Sequence, residues 1–292
     1  MNGERGRLLP ALAAVITGVQ IGAAIVASRY VIDQTTPGML AMLCYAIGAC
    51  CLIPILLATG GWPRFARRDL LPMALLGIVQ FGVLVALLNF AVQHLTAARA
   101  ALLFATFPFL TLLLGAMLGR ERLSVRKSLG VAATILGVAV ALGEDALTRG
   151  EGASWIGEIA ALASAACGAV CSVLYRPYLQ RYAALPVSAF AMLASVGALA
   201  LLAAAEGGFA SLPHVTAEGW AAVVFIGLSS GLGYFMWLWA LGRLSPTRVT
   251  VFVALGPVTA TLLGWLLLAE PATLGTWIGL VLVVLGLWLS QT

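Results

Sequence analysis

The chain has 292 residues, of which 62% are hydrophobic and only 9% charged, with a mean hydropathy of +1.05 and a formal net charge of +5. A soluble domain carries roughly 25% charged residues, so a soluble enzyme or a nucleic-acid-binding domain is excluded. The chain belongs in a bilayer, and the placement of its cations along the chain explains the positive balance without a polyanionic partner.

Runs of about 20 mostly apolar residues mark helices that cross a membrane. Ten such spans are predicted, at 8–28, 38–58, 70–93, 98–119, 127–143, 155–175, 186–205, 219–242, 247–268 and 273–290. The first begins with Arg5 and Arg7, as a signal peptide does, but its apolar part of about 20 residues exceeds the roughly 7–15 of a signal core. It is expected to stay in the protein. Gln20 lies near its centre.

The third span carries Gln80 near its centre, Asn89 further along and His94 at its end. An amide in lipid needs a partner, yet interhelical hydrogen bonds of this kind average about 0.6 kcal/mol. Substrate contact and simple helix packing are both open for Gln20 and Gln80. His94 titrates near neutrality and is a candidate for proton coupling.

The fourth span contains FATFPFLTLLLG, residues 104–115. Pro108 has no N–H for the carbonyl of Phe104, and its ring crowds that carbonyl. In lipid such a break is tolerated only where protein or a water-filled cavity meets the backbone. Glu158, at the start of the sixth span, is the second coupling candidate, because an intramembrane carboxylate is functional by default. Its position near the span end places it within easy reach of solvent.

The eighth span ends in GYFMWLWALG. Tyr234 and Trp237 are three apart and share a helix face, whereas Trp237 and Trp239 do not. With Phe104 and Phe107 they form either an aromatic cage for a substrate ring or an ordinary aromatic core. The ninth span repeats the proline break at Pro257, below Val253. Trp62, Trp155, Trp220, Trp277 and Trp288 fall near span ends, as interface anchors do.

Thirteen of the sixteen Lys and Arg residues lie on one side if the N-terminus is cytoplasmic, leaving Arg29, Arg99 and Arg149 on the other. The positive-inside rule then places both termini in the cytoplasm. An internal repeat at an offset of 149 aligns Arg99 with Arg248, Pro108 with Pro257, Glu121 with Glu270, Gly130 with Gly279 and Gly137 with Gly286. Each half, 1–148 and 149–292, holds five spans. Five is odd, so the halves enter the membrane with opposite sense, and matched helix breaks in such halves point to a binding site near the midplane. Pro108 and Pro257 are therefore candidates for gating. Glu121 and Glu270 fall where one helix ends and the next begins, which favours capping or pairing with arginine over transport.

The stretch FPFLTLLLGAMLGRERLS and its second copy GPVTATLLGWLLLAEPATL, each followed by two spaced glycines, resemble the EamA-type repeats of the drug/metabolite transporter superfamily. The resemblance implies an all-α basket of ten membrane helices in two inverted five-helix repeats. It further implies a cavity lined by spans 1, 3, 4, 6, 8 and 9, with 5 and 10 outside. Bacterial exporters of amino acids, including aromatic ones, are the closest kind in size and plan, which implies the bacterial inner membrane.

Several chemistries lack their residues. No phosphate-binding loop for ATP is present, and no span centre holds Lys or Arg to counter a phosphate. The five cysteines all lie in spans, and two distant His leave no zinc spacing; no cofactor or metal is expected. Glycine pairs four apart, such as Gly18 with Gly22 and Gly227 with Gly231, permit close helix approach. The expected substrate set is Gln20, Gln80, Phe104, Phe107, Tyr234 and Trp237, suited to a zwitterionic amino acid with an aromatic or large apolar side chain, moved by alternating access. Efflux of other metabolites or drugs, a passive channel and an intramembrane enzyme are the competing readings.

Overall fold

The computed structural model describes residues 2–59, 65–119, 125–148, 155–209, 215–270 and 273–291, and every regular element among them is helical. Glu121 and Trp62 lie outside the described residues. The first two spans are α1 (Asn2–Val31) and α2 (Pro37–Ala58). The third is built from α3 (Arg67–Gly77), a π-helical turn (Ile78–Val83) and α4 (Leu84–His94), and the fourth from α5 (Ala97–Phe104) and α6 (Phe107–Met117). Then come α7 (Val125–Thr148), α8 (Ile156–Leu179), α9 (Ala184–Ala205) and α10 (Ala217–Leu241). The ninth span comprises α11 (Pro246–Thr250), a 3-10 turn (Val251–Ala254) and α12 (Leu255–Leu268), and α13 (Leu274–Gln291) is the tenth. Each predicted span thus has its helix.

The bundle has two ends, named here by residues they carry. At the Glu270 end, threonines cap three helices: the hydroxyls of Thr36, Thr96 and Thr216 accept from the amides of Met39, Arg99 and Gly219. Such caps satisfy amides that the first helical turn leaves unpaired. Glu206 accepts from the amide of Gly38 at 2.8 Å, and Glu270 from that of Ala97 at 2.9 Å. At the Asp69 end, the Tyr182 hydroxyl donates to Asp69 at 2.7 Å and accepts from the amide of Ala66 at 3.1 Å.

Apolar area is no drive for helix association in lipid, so close backbone approach at small residues does the work. A Cβ on Gly137 would lie 2.7 Å from the carbonyl oxygen of Gly279, and one on Gly286 would collide with the carbonyl of Gly130. These are the glycines that the 149-residue offset aligns, and they join α7 to α13 as a reciprocal pair. Gly18 and Gly22 seat α1 on the carbonyls of Phe252 and Gly256, Gly48 meets Gly227 and Gly231 between α2 and α10, and Gly77 meets Ala191 between α3 and α9. Large apolar side chains such as Leu57, Leu71 and Leu201 remain exposed on the outside of the bundle. Lipid is their natural solvent.

Candidate functional site

A cavity of about 120 Å³ opens between the halves. It is lined from Thr17 to Ser28 along α1, which at 1.5 Å per residue is about 16 Å, and from Gln80 to Val92 along the third span. The cavity therefore runs from the middle of the bundle toward the Glu270 end. Among the described residues, no charged side chain lines it.

Three amides line this space. Gln20 is partly buried and its Nε2 lies 3.3 Å from Ser229 Oγ and 3.4 Å from Ser230 Oγ, tying α1 to α10. Gln80 is 8% exposed and sits inside the π-helical turn. A π turn interrupts the regular ladder of carbonyl bonds and recurs at functional sites. It sets Gln80 and Phe81 in the cavity wall. Asn89 lines the cavity too, but its Nδ2 donates to the carbonyl of Pro37 at 3.2 Å, joining the third span to the start of α2.

Aromatic rings form the floor. Tyr45 and Phe81 have centroids 4.7 Å apart, Phe81 and Tyr234 4.2 Å, Phe104 and Phe107 5.6 Å, and Phe107 and Trp237 5.9 Å. The Tyr45–Phe81, Phe104–Phe107 and Phe107–Trp237 separations are those of favourable ring pairs, and Phe81 and Tyr234 lie closer still. Trp237 is 3% exposed and lines the cavity, whereas Trp239 is turned away and lies under the Arg243 guanidinium at 4.1 Å. Gln20, Gln80, Phe104, Phe107, Tyr234 and Trp237 are thus brought to one wall.

The breaks behind this wall differ from each other. Helix α5 ends at Phe104, and Pro108 sits in the first turn of α6 after a turn at Ala105 and Thr106, where the Thr106 hydroxyl donates to the carbonyl of Leu103 at 2.8 Å. At Val253 the expected free carbonyl is not found, because the tightened 3-10 turn directs the amide of Leu255 to the carbonyls of Phe252 and Val253. Both prolines are buried and neither touches the cavity. They shape its walls from behind.

Two expectations change. The cavity walls come from spans 1, 2, 3, 4 and 8, and among the described residues none of spans 6 or 9 lines it. Helix α8 is drawn behind the third and fourth spans, with Ser164 donating to the carbonyl of Leu84 at 2.9 Å and Gly168 set against the Phe107 ring, while α12 backs α1 and α5. Tyr45 of α2 fills the space in front. Second, Glu158 is not within easy reach of solvent: it is 3% exposed and lies 2.9 Å from Arg99. His94 lies at the end of the third span, as its position implied, exposed and away from the cavity, with Nδ1 3.0 Å from the carbonyl of Phe90.

Sequence reasoning missed Tyr45 and Phe81 as wall residues. Alternation of the amide Gln80 with the ring of Phe81 was visible, but an α-helix points neighbours in different directions, and the π turn that presents both leaves no mark in composition. Glu270 takes the structural role expected of it. Besides the Ala97 amide it faces Arg29 at 3.6 Å, and Arg29 in turn pairs with Asp33 at 3.0 Å. Burial raises the Glu270 carboxyl above the usual range, while the Ala97 amide and Arg29 pull it down.

Comparison with known proteins supplies the lineage. The EamA-like transporter family matches residues 8–143 and again 155–292. A "Probable terminal-alkyne amino-acid exporter" of Streptantibioticus cattleyicolor is 33% identical over 212 residues, covering 72% of this chain and 69% of its own. A "Probable amino-acid metabolite efflux pump" of Escherichia coli is 28% identical over 241 residues, covering 77% and 79%. A solved crystal structure at 24% identity superposes with a TM-score of 0.72 over 98% of this chain and 96% of its own, which establishes the shared fold.

Proposed function

From the premise that this chain belongs to the EamA-like transporter family, we propose that it exports small zwitterionic metabolites, foremost amino acids with aromatic or large apolar side chains, by alternating access. One observation carries the substrate class: a cavity without charged side chains, with amides at Gln20 and Gln80 over a floor of Tyr45, Phe81, Phe107, Tyr234 and Trp237. A lone cation or anion would enter such a site without a counter-charge, which is costly in a low dielectric. A zwitterion brings both signs, and the amides and hydroxyls can serve each of them. Its apolar side chain meets the rings, where stacking adds about 0.5–1.5 kcal/mol beyond area burial.

Two relatives named as amino-acid exporters or efflux pumps support the same class and the outward direction. The proposed setting is a bacterial inner membrane with both termini cytoplasmic, from the distribution of Lys and Arg. The Glu270 end then faces outward, and the cavity opens to that side. Pro108 and Pro257 are proposed as the breaks about which the inner walls hinge.

The test is uptake into proteoliposomes of labelled phenylalanine, threonine and a lipophilic cation, each with and without a pH gradient. Saturable phenylalanine entry with trans-stimulation, weakened by Gln80→Ala or Trp237→Ala, is the expected result. Entry of the cation alone would sink the neutral-cavity reading, and non-saturable flux would indicate a channel.

A further inference from the structure

Beyond the aromatic floor, the described residues include four buried hydroxyls with no hydrogen-bond partner outside their own group: Ser172 and Tyr175 on α8, Ser188 on α9 and Tyr234 on α10, the two tyrosine hydroxyls facing each other. The first three are 1%, 0% and 0% exposed. Other hydroxyls in the spans satisfy themselves, as Thr111 does on the carbonyl of Phe107, Thr259 on that of Leu255 and Ser195 on that of Met192. Thr35, another buried hydroxyl without a partner, lies in the turn before α2 and outside this group.

The four share one side of the bundle. Tyr175 stands four residues before the end of α8 and Ser188 four after the start of α9, both at the Asp69 end, and Tyr234 lies seven before the end of α10. Tyr234 belongs to both compartments. Its ring lies against Phe81 in the cavity floor, and its hydroxyl neighbours that of Tyr175 behind it. Toward the Asp69 end, the rings of Phe65, Tyr182 and Phe190 pack at 5.0 and 5.4 Å, and Asp69 is held by the Tyr182 hydroxyl and by Arg181 at 3.5 Å. These contacts tie the start of α3 to the turn between α8 and α9 and to α9 itself.

A hydroxyl buried without a partner destabilises the state that buries it. A carrier has a second state in which these groups meet water or substrate. Resting on the carrier reading, we propose that Ser172, Tyr175, Ser188 and Tyr234 line the other half of the translocation path, closed in this conformation, and receive the polar groups of a zwitterionic substrate when the Asp69 end opens. The Tyr182–Asp69 contact is the latch that must part for this.

Three variants test it in the reconstituted protein. Ser172→Cys and Ser188→Cys, each with the five native cysteines replaced, are exposed to a membrane-impermeant maleimide from either side, with Ser230→Cys as the open-cavity control. Modification of both from the Asp69 side is expected, faster by about threefold during phenylalanine exchange, because substrate shifts the population of states. Tyr175→Phe, in the native cysteine background, is expected to match or exceed the wild type in thermal midpoint while exchanging phenylalanine about fivefold more slowly, a loss confined to turnover. Saturable exchange with Ser172→Cys and Ser188→Cys unmodified from both sides, together with wild-type exchange by Tyr175→Phe, overturns the assignment and leaves the carrier reading standing. Absence of exchange in the unaltered protein defeats the carrier reading instead, and the maleimide pattern then decides the path on its own.

Discussion

Arg99 of α5 and Glu158 of α8 meet at 2.9 Å with 8% and 4% of their side chains exposed, joining the fourth and sixth spans at the Glu270 end. Removing one partner of a buried pair strands the other charge, which costs about 3–5 kcal/mol, against 1 kcal/mol or less for a pair in water. Glu158→Gln is therefore expected to lower stability by roughly 3 kcal/mol, measured by thermal unfolding in detergent. An unchanged midpoint would show that Glu158 does not hold Arg99.

Gly233 lies directly behind Gln20, and a Cβ there would fall 2.7 Å from Gln20 Oε1. Gly233→Ala should push the amide out of its place between Ser229 and Ser230 while leaving the helices seated. The expected outcome is a rise in the half-saturating phenylalanine concentration of about tenfold, with little change in maximal rate, as when binding common to ground and transition states is lost. Transport kinetics in proteoliposomes decide it. An unaltered half-saturation would remove Gln20 from the site.

Pro108→Ala restores an N–H four residues after Phe104 and lets α5 run into α6. If the break at Ala105 and Thr106 is a hinge, turnover should fall several-fold with substrate affinity retained. The Pro108→Ala, Pro257→Ala double variant should fall further. Wild-type transport by the double variant would falsify the hinge.

Glu270 sits outside the ninth span, after Ala269 at φ 51°, a left-handed position that turns the chain back toward α5. Because burial raises its carboxyl above the ordinary value of 4.5, the folded state favours the protonated form. The stability this lends is fully present below the ordinary carboxylate value and is lost as pH rises through the raised one. Glu270→Gln stays neutral throughout. The difference in thermal midpoint, variant minus wild type, should therefore move in the variant's favour as pH climbs from about 4 toward 7. A difference that moves the other way would mean that the Ala97 amide and Arg29 outweigh burial.

Amino-acid sequence alone determined the solvent of this protein, its ten spans and its duplication. Those follow from terms that are local or additive: run length against bilayer thickness, the sparse charges, and matched Arg, Pro and Glu at one offset. It also singled out the amides and four of the rings that line the cavity, because polar and aromatic groups are conspicuous against an aliphatic background. Tertiary structure decided how they are used. Glu158 reads as a shallow, wet carboxylate until α5 brings Arg99 against it from 59 residues away. Span 9 reads as a cavity wall until Gly18 and Gly22 let α1 close over it. Tyr45 and Tyr175 read as ordinary apolar-span residues until packing places one ring beside Phe81 and buries the other's hydroxyl against that of Tyr234. Contacts between helices far apart in sequence depend on small residues and local backbone breaks on both partners at once, and no property of either segment alone records them.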